Sequence, residues 1–324
     1  MKQAMRLVAV SLVLAVCMLS SPFAAHAQSG EQECDPILSG LWAGVLFEFD
    51  SDICVTRDSE TSEQVFREPE RKEPEHTDAT TSGFYAGLGD SVAAGVGLAG
   101  SGFADVCGVS SESYVDTVAV FTGQAYENFA CSGATAGDLV TKQRLNGAED
   151  IEAQLDQAFA AGQPELITIT AGANDMHWVD FLRKCYGATC GTNFDNAASR
   201  GLLAALRVKL NYALGEISFR SEGAPPQVIL TGYYQPLSQT CSALSSNLTS
   251  SEITWINQQV GRLNDAISDA AANFSFASFA PVSFAGHDIC ADDPWVQGVN
   301  DQAPFHPTAE GQEIIAQTVI RHLE

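Results

Sequence analysis

The chain has 324 residues, 45% of them hydrophobic and 17% charged, which is enough apolar material for one catalytic-size domain with a core of its own. Forty Asp and Glu face sixteen Lys and Arg, for a formal net charge of −24. Such a surface repels nucleic acid and anionic lipid, and it argues against both as partners.

Residues 1–27 read as a signal peptide. Lys2 and Arg6 form a basic start, "LVAVSLVLAVCML" supplies an apolar stretch too short to span a bilayer comfortably, and Ala25-His26-Ala27 fits a small-residue cleavage site. The remainder would keep 14 Lys and Arg against 40 acids and would be exported. No later segment is long and apolar enough for stable membrane insertion. Eight cysteines stay behind after Cys17 leaves, an even set that in an exported chain points to disulfides. Eight allow 105 pairings, and order along the chain favours neighbours: Cys34–Cys54, Cys107–Cys131, Cys185–Cys190 and Cys241–Cys290. Zinc is the rival reading, but CxxC and HxxxH spacings are missing, so no metal is expected.

Residues 28–82 read as an acidic extension or linker. "GLWAGVLFEFD" is apolar but flanked by acids, and "RDSETSEQVFREPERKEPEHTDATTS" is charged, holds prolines and lacks apolar periodicity. From Gly83 to Glu324 strand and helix signals alternate. "GFYAGLG" and "AYENFACSG" read as strands. "IEAQLDQAFAAG" reads as a helix with Ile151, Leu155, Ala158 and Phe159 on one face, stopped by Gly162 and Pro164. "ELITITAG" is a strand, and "ASRGLLAALRVKLNYAL" a helix with Leu203, Leu206, Leu210 and Leu214 in register. "PQVILTGYY" is a strand. In the helix "SEITWINQQVGRLNDAISDAAA", Ile253, Ile256, Val260, Leu263 and Ile267 recur at steps of three and four. "FSFASF" is the fifth strand, and a last helix is expected to open at Pro307 and run to about Leu323. The alternation predicts an α/β fold whose mostly parallel sheet is covered on both faces, with ligands beyond the carboxyl ends of its strands.

The chemistry-bearing residues follow those strands. "GLGDSVAAG" places Ser91 after the first, with Gly89 giving room for a tight turn. "NFACSGATAGDL" places Gly133 after the second, and "ITITAGANDM" places Asn174 after the third. "APFHPTAEGQ" sets His306 just ahead of the last helix. A serine hydroxyl is a poor nucleophile until an imidazole takes its proton, and the oxyanion that follows needs donors already aimed at it. Asp90 reads as a turn-fixing side chain outside the proton relay. Of the other histidines, His177 reads as a pocket-lining residue and His287 as a structural one beside a disulfide.

Taken in order and spacing, these four blocks resemble those of the SGNH hydrolases, the GDSL lipase/esterase family, over Gly83–Glu324. The resemblance implies a flavodoxin-like three-layer αβα sandwich with a five-stranded sheet. It implies Ser91 as nucleophile, His306 as general base, and the Ser91 N–H, the Gly133 N–H and the Asn174 amide as oxyanion donors, with no cofactor. The family often has an aspartate three residues before the histidine, and here that position is Ala303. "CSGAT", the cysteine-rich body and "GHDICADDPW" are similar to secreted actinobacterial members that use a main-chain carbonyl and a Ser–His dyad. On that likeness the Ala303 carbonyl is expected to orient His306, with Asp301 as second choice.

The implied activity is hydrolysis of lipid or short-chain acyl esters by a monomer. Trp178, Phe181, Tyr233, Tyr234 and Leu237 are the expected apolar lining. Deacetylation of a polysaccharide such as xylan by the same residues is the alternative, and a non-catalytic carbohydrate- or lipid-binding module is the third reading.

Overall fold

The computed structural model describes residues 83–101, 106–145, 149–239, 241 and 247–323. The expected signal segment, the acidic extension and the Cys34–Cys54 pair lie outside the described residues.

Five strands form one sheet: β1 (Phe84–Gly89), β2 (Ala125–Asn128), β3 (Pro164–Thr170), β4 (Gln227–Thr231) and β5 (Ala277–Ala280), in the order β2-β1-β3-β4-β5. Every pairing is parallel. Parallel neighbours need long crossovers, and the helices supply them: α1 (Ser91–Ala94), α2 (Tyr114–Thr122), α3 (Gln154–Ala161), α4 (Trp178–Gly187), α5 (Asn193–Arg220), α6 (Ser250–Ala271) and α7 (Ala309–Ile320). Helix α2 packs with α7, and α5 with α6, which makes the outer layers of an αβα sandwich. Arg220 of α5 pairs with Asp156 of α3 at 2.6 Å and lies over the Phe159 ring, so α3 shares the α5 layer.

Local sequence accounts for the principal helices. Thr192 and Asp195 form a reciprocal capping box that starts α5, and Thr249 with Glu252 does the same for α6. The periodic residues Leu203, Leu206, Leu210 and Leu214 of α5, and Ile253, Ile256, Val260, Leu263 and Ile267 of α6, are all buried. The sheet core also holds hydroxyls, and they satisfy one another: Tyr85 with Thr168 at 2.8 Å, Tyr114 with Thr170 at 2.8 Å, and Thr170 with Thr231 at 2.6 Å.

Some boundaries differ from the sequence reading. Helix α3 begins at Gln154, because Ile151 is taken into a bridge with Gln143. Helix α7 begins at Ala309, capped by the Thr308 hydroxyl on the Gly311 N–H. Pro307 stands outside it, its carbonyl accepting from Gln297 Nε2 at 2.9 Å. Helices α2 and α4 lie in stretches to which the sequence pattern assigned neither helix nor strand. Disulfides join Cys107 to Cys131, Cys185 to Cys190 and Cys241 to Cys290. The last two belong to a second apolar cluster with Leu237, Leu248, Ile253, Trp255 and Ile256, separate from the main core. No helix among the described residues is long and apolar enough to cross a membrane.

Candidate active site

The strand order reverses direction between β1 and β3, so the crevice beyond their carboxyl ends is where this topology holds a ligand. Ser91 lies two residues beyond β1, and Asn174 lies four residues beyond β3. The turn at Ser91 is fastened on several sides. The Asp90 N–H donates to Thr170 O at 2.8 Å, and Asp90 Oδ1 accepts the Val92 N–H at 2.9 Å, capping α1. The Gln154 amide clasps Gly89 from the other face, its Oε1 accepting the Gly89 N–H at 2.7 Å and its Nε2 donating to Gly89 O at 2.8 Å.

Ser91 Oγ lies 2.8 Å from His306 Nε2, across 215 residues of sequence. The other ring nitrogen, Nδ1, lies 3.2 Å from the carbonyl of Pro304. That carbonyl can only accept, so Nδ1 carries the proton and Nε2 is left to accept the serine hydroxyl. Two carbonyls act on the ring, that of Pro304 and the expected one of Ala303. The Pro304 carbonyl lies at hydrogen-bond distance from Nδ1, and the Ala303 carbonyl also takes the backbone N–H of His306 at 3.1 Å. Asp301 is engaged elsewhere, its carboxylate accepting the Gly298 N–H at 2.5 Å.

The direction of the Pro304 carbonyl depends on Phe305, whose φ of 67° is left-handed and unusual for a bulky residue. Such a conformation persists only where the surroundings over-determine it. Here Phe305 donates to Gln297 O at 3.0 Å and accepts the Tyr234 hydroxyl at 2.7 Å, and Gln297 donates to His306 O at 2.7 Å. Tyr234 stacks on Phe284 at 4.1 Å, Phe284 meets Trp295 edge-on, and Trp295 stacks on His287 at 3.6 Å. An aromatic ladder thereby buttresses the loop that carries His306. His287, held by Asp293 O at 2.7 Å, is part of it.

The two other expected donors are tied to each other. Asn174 Nδ2 donates to Ala134 O at 2.8 Å, in the turn that contains Gly133. Asp175 anchors the same turn by accepting the Ala136 N–H at 2.7 Å, and it is paired with Lys209 of α5 at 2.6 Å. The Cys131 N–H donates to Gly89 O at 3.0 Å, joining this turn to the end of β1. His177 is exposed and left-handed, with φ of 50°, at the start of α4.

Trp178 and Phe181 are half-buried against the second apolar cluster, as are Leu182, Val299 and Phe305. That cluster therefore bridges the Asn174 and His306 loops. Tyr233, Tyr234 and Leu237, expected as lining, are instead core residues at 7%, 6% and 2% exposure, and both hydroxyls are occupied within the protein.

Burial lowers the His306 imidazole below its ordinary value, the Pro304 and then the Ala303 carbonyl pulling the other way. A base works only when unprotonated. The acid limb of kcat/KM against pH is therefore expected to centre below about 6.5, the unperturbed histidine value, with rate lost as pH falls through it. A limb centred above that value would show that a different group is being titrated.

An αβα sandwich with a serine–imidazole pair at the switch point of a parallel sheet defines a serine hydrolase site in geometry. Residues 88–314 match the family model described as GDSL-like Lipase/Acylhydrolase family. A lipase of Streptomyces rimosus is 30% identical over 246 residues, 70% of this chain and 82% of that protein. Lipase 1 of Streptomyces coelicolor is 29% identical over 241 residues, with the same shares covered. Among solved structures, an extracellular lipase of Streptomyces rimosus superposes with a TM-score of 0.59 at 27% identity, covering 75% of this chain and 100% of that one. Phospholipase A1 of Streptomyces albidoflavus gives 0.57 at 27%, covering 75% and 99%. The chain belongs to the GDSL-like lipase/acylhydrolase family, and it is a carboxylic ester hydrolase of the lipase/esterase class.

Proposed function

We propose that this chain is an exported serine ester hydrolase acting on lipid or other acyl esters. Ser91 Oγ attacks the acyl carbonyl as His306 Nε2 takes its proton. The Ser91 and Gly133 N–H groups and the Asn174 amide hold the oxyanion. Collapse expels the alcohol, which receives the proton from Nε2. Water, deprotonated by the same nitrogen, then frees the acid and restores the serine. The observation that carries this reading is the 2.8 Å approach of Ser91 Oγ to His306 Nε2, in the tautomer set by Pro304 O. The backbone carbonyl takes the orienting role, so the relay is a dyad. Export is supported by the three disulfides and by the extracellular lipase to which the chain is similar.

The half-buried Trp178, Phe181, Leu182, Val299 and Phe305 favour an acyl chain over a sugar, since they supply an apolar surface between the two catalytic loops. A fluorophosphonate probe is expected to label Ser91, and p-nitrophenyl esters are expected to be cleaved faster as the acyl chain lengthens beyond acetate. An unlabelled wild-type protein would overturn the serine mechanism. Turnover confined to acetylated xylan would shift the substrate to an acetylated polysaccharide.

A further inference from the structure

Between the turn that carries Ser91 and the loop that carries Asn174 stands one buried hydroxyl. Tyr233 OH donates to Asp90 Oδ2 at 2.5 Å and accepts the Ala173 N–H at 3.2 Å. Asp90 immediately precedes Ser91, and Ala173 immediately precedes Asn174. The other oxygen of Asp90 is already spent on the Val92 N–H, one residue past the serine. The tyrosine is itself held at its backbone, its N–H donating to Asn264 Oδ1 at 2.7 Å and its carbonyl accepting Asn264 Nδ2 at 2.8 Å, which fixes the end of β4 to α6. A rigid anchor at the end of β4 thus reaches across the sheet to both loops at once.

We infer that Tyr233 is a positioning residue for the reaction: its hydroxyl sets the spacing between the Ser91 nucleophile and the Asn174 oxyanion donor. The inference rests on the roles proposed above for those two residues. At 7% exposure Tyr233 is not placed to meet substrate, so it acts through its neighbours. The carboxylate of Asp90 suits this use. A buried carboxyl is costly unless hydrogen-bonded, and its two oxygens are divided between the serine turn and the tyrosine. Burial pushes Asp90 up to about 7, against the Tyr233 hydroxyl and the Val92 N–H, both of which favour the ionised form. The contact is a short one, and it is charge-assisted where Asp90 is ionised. It is not what holds the strands together, because the Asp90 N–H to Thr170 O bond at 2.8 Å and the β1–β3 pairing remain without it. That separation makes the role testable apart from folding.

Tyr233→Phe keeps the ring and removes the hydroxyl. Oxyanion donors act only where the charge develops, and a misplacement on the order of 1 Å costs about a hundredfold. The expected result is a fall in kcat of about 10- to 100-fold, with KM within about twofold of wild type. Fluorophosphonate labelling of Ser91 should slow in proportion. Asp90→Asn retains an acceptor for Val92 but weakens the tyrosine bond. It should lose part of the same factor, and the double variant should be no slower than Tyr233→Phe, since both break one link. A folded Tyr233→Phe protein with wild-type kcat would overturn the inference. Should that variant not fold, an Asp90→Asn protein with wild-type kcat would overturn it as well. Failure of wild-type protein to label would instead sink the serine mechanism itself, so the two outcomes are told apart by one control.

Discussion

Ser91→Ala is expected to lower kcat on a p-nitrophenyl ester by about ten-thousandfold or more, while the melting temperature stays within a few degrees of wild type. The rate loss follows from the chemistry: without Oγ there is no acyl-enzyme, and only binding and the oxyanion donors remain to assist attack by water. That residue of catalysis sets a floor. Because serine and imidazole act as a unit, His306→Ala should reach nearly the same floor, and the double variant should fall no further. The small effect on stability follows from the contacts. Ser91 is half-exposed, and its hydroxyl is hydrogen-bonded to His306. The bonds that shape its turn do not use that hydroxyl: Asp90 and Gln154 supply side-chain bonds, and the Ser91 carbonyl accepts the N–H groups of Gly95 and Val96 at 3.1 and 3.0 Å. Alanine keeps them. Calorimetry beside single-turnover kinetics would check both halves. A variant that kept even a tenth of wild-type kcat would remove Ser91 from the role of nucleophile.

How much of this could be read from residues alone varies with the range of the interaction. The five strands and the long helices α5 and α6 were legible because periodicity is local, while the capping boxes Thr192–Asp195 and Thr249–Glu252, which set where these helices begin, went unread. Helices α2 and α4 were not. "YVDTVAVFT" is rich in β-branched residues, which lowers its helix propensity. Helix α4 starts without a side-chain cap, at a left-handed His177, and among its residues Cys185 alone is buried. The four motif blocks placed Ser91, Gly133, Asn174 and His306 at one rim of the sheet, since strand ends fix that much.

The carbonyl facing His306 Nδ1 was out of reach, because a peptide oxygen's direction depends on dihedral angles. The left-handed turn at Phe305 is held by Tyr234, 71 residues away in sequence, and by the main chain of Gln297. Tyr233 was assigned to the pocket for the same reason. An aromatic after a strand reads as lining until the fold brings Asp90, 143 residues distant, within 2.5 Å of its hydroxyl. Short motifs thus gave the candidate reacting groups, and only the assembled sheet gave the contacts around them.

Gly89→Ala is the second change expected to have a large effect, and it acts on that aiming. Gly89 has φ of 134°, a conformation that L side chains rarely adopt, and a Cβ there would lie 2.1 Å from Thr170 O. The obstacle is main chain, so it cannot rotate aside. Thr170 O is also the acceptor of the Asp90 N–H, and Gly89 itself is clasped by Gln154 and by the Cys131 N–H. Relief of the clash must part β1 from β3 at the point where Ser91 leaves the sheet, loosening the turns of Ser91 and Gly133 together. A cost of about 4 kcal/mol is in keeping with strain of this kind, and in a domain of this size it lowers the melting temperature by roughly 8–16 °C. Gly123→Ala supplies the comparison. It too has a left-handed φ, 66°, at the end of α2, but a Cβ there meets nothing within 4 Å. Its cost should be the backbone term alone, about 1–2 kcal/mol, with kcat unchanged. Thermal unfolding and kcat measured on both variants decide the matter: if Gly89→Ala proves no worse than Gly123→Ala in either, the close approach of β1 to β3 is not what sets the position of the serine.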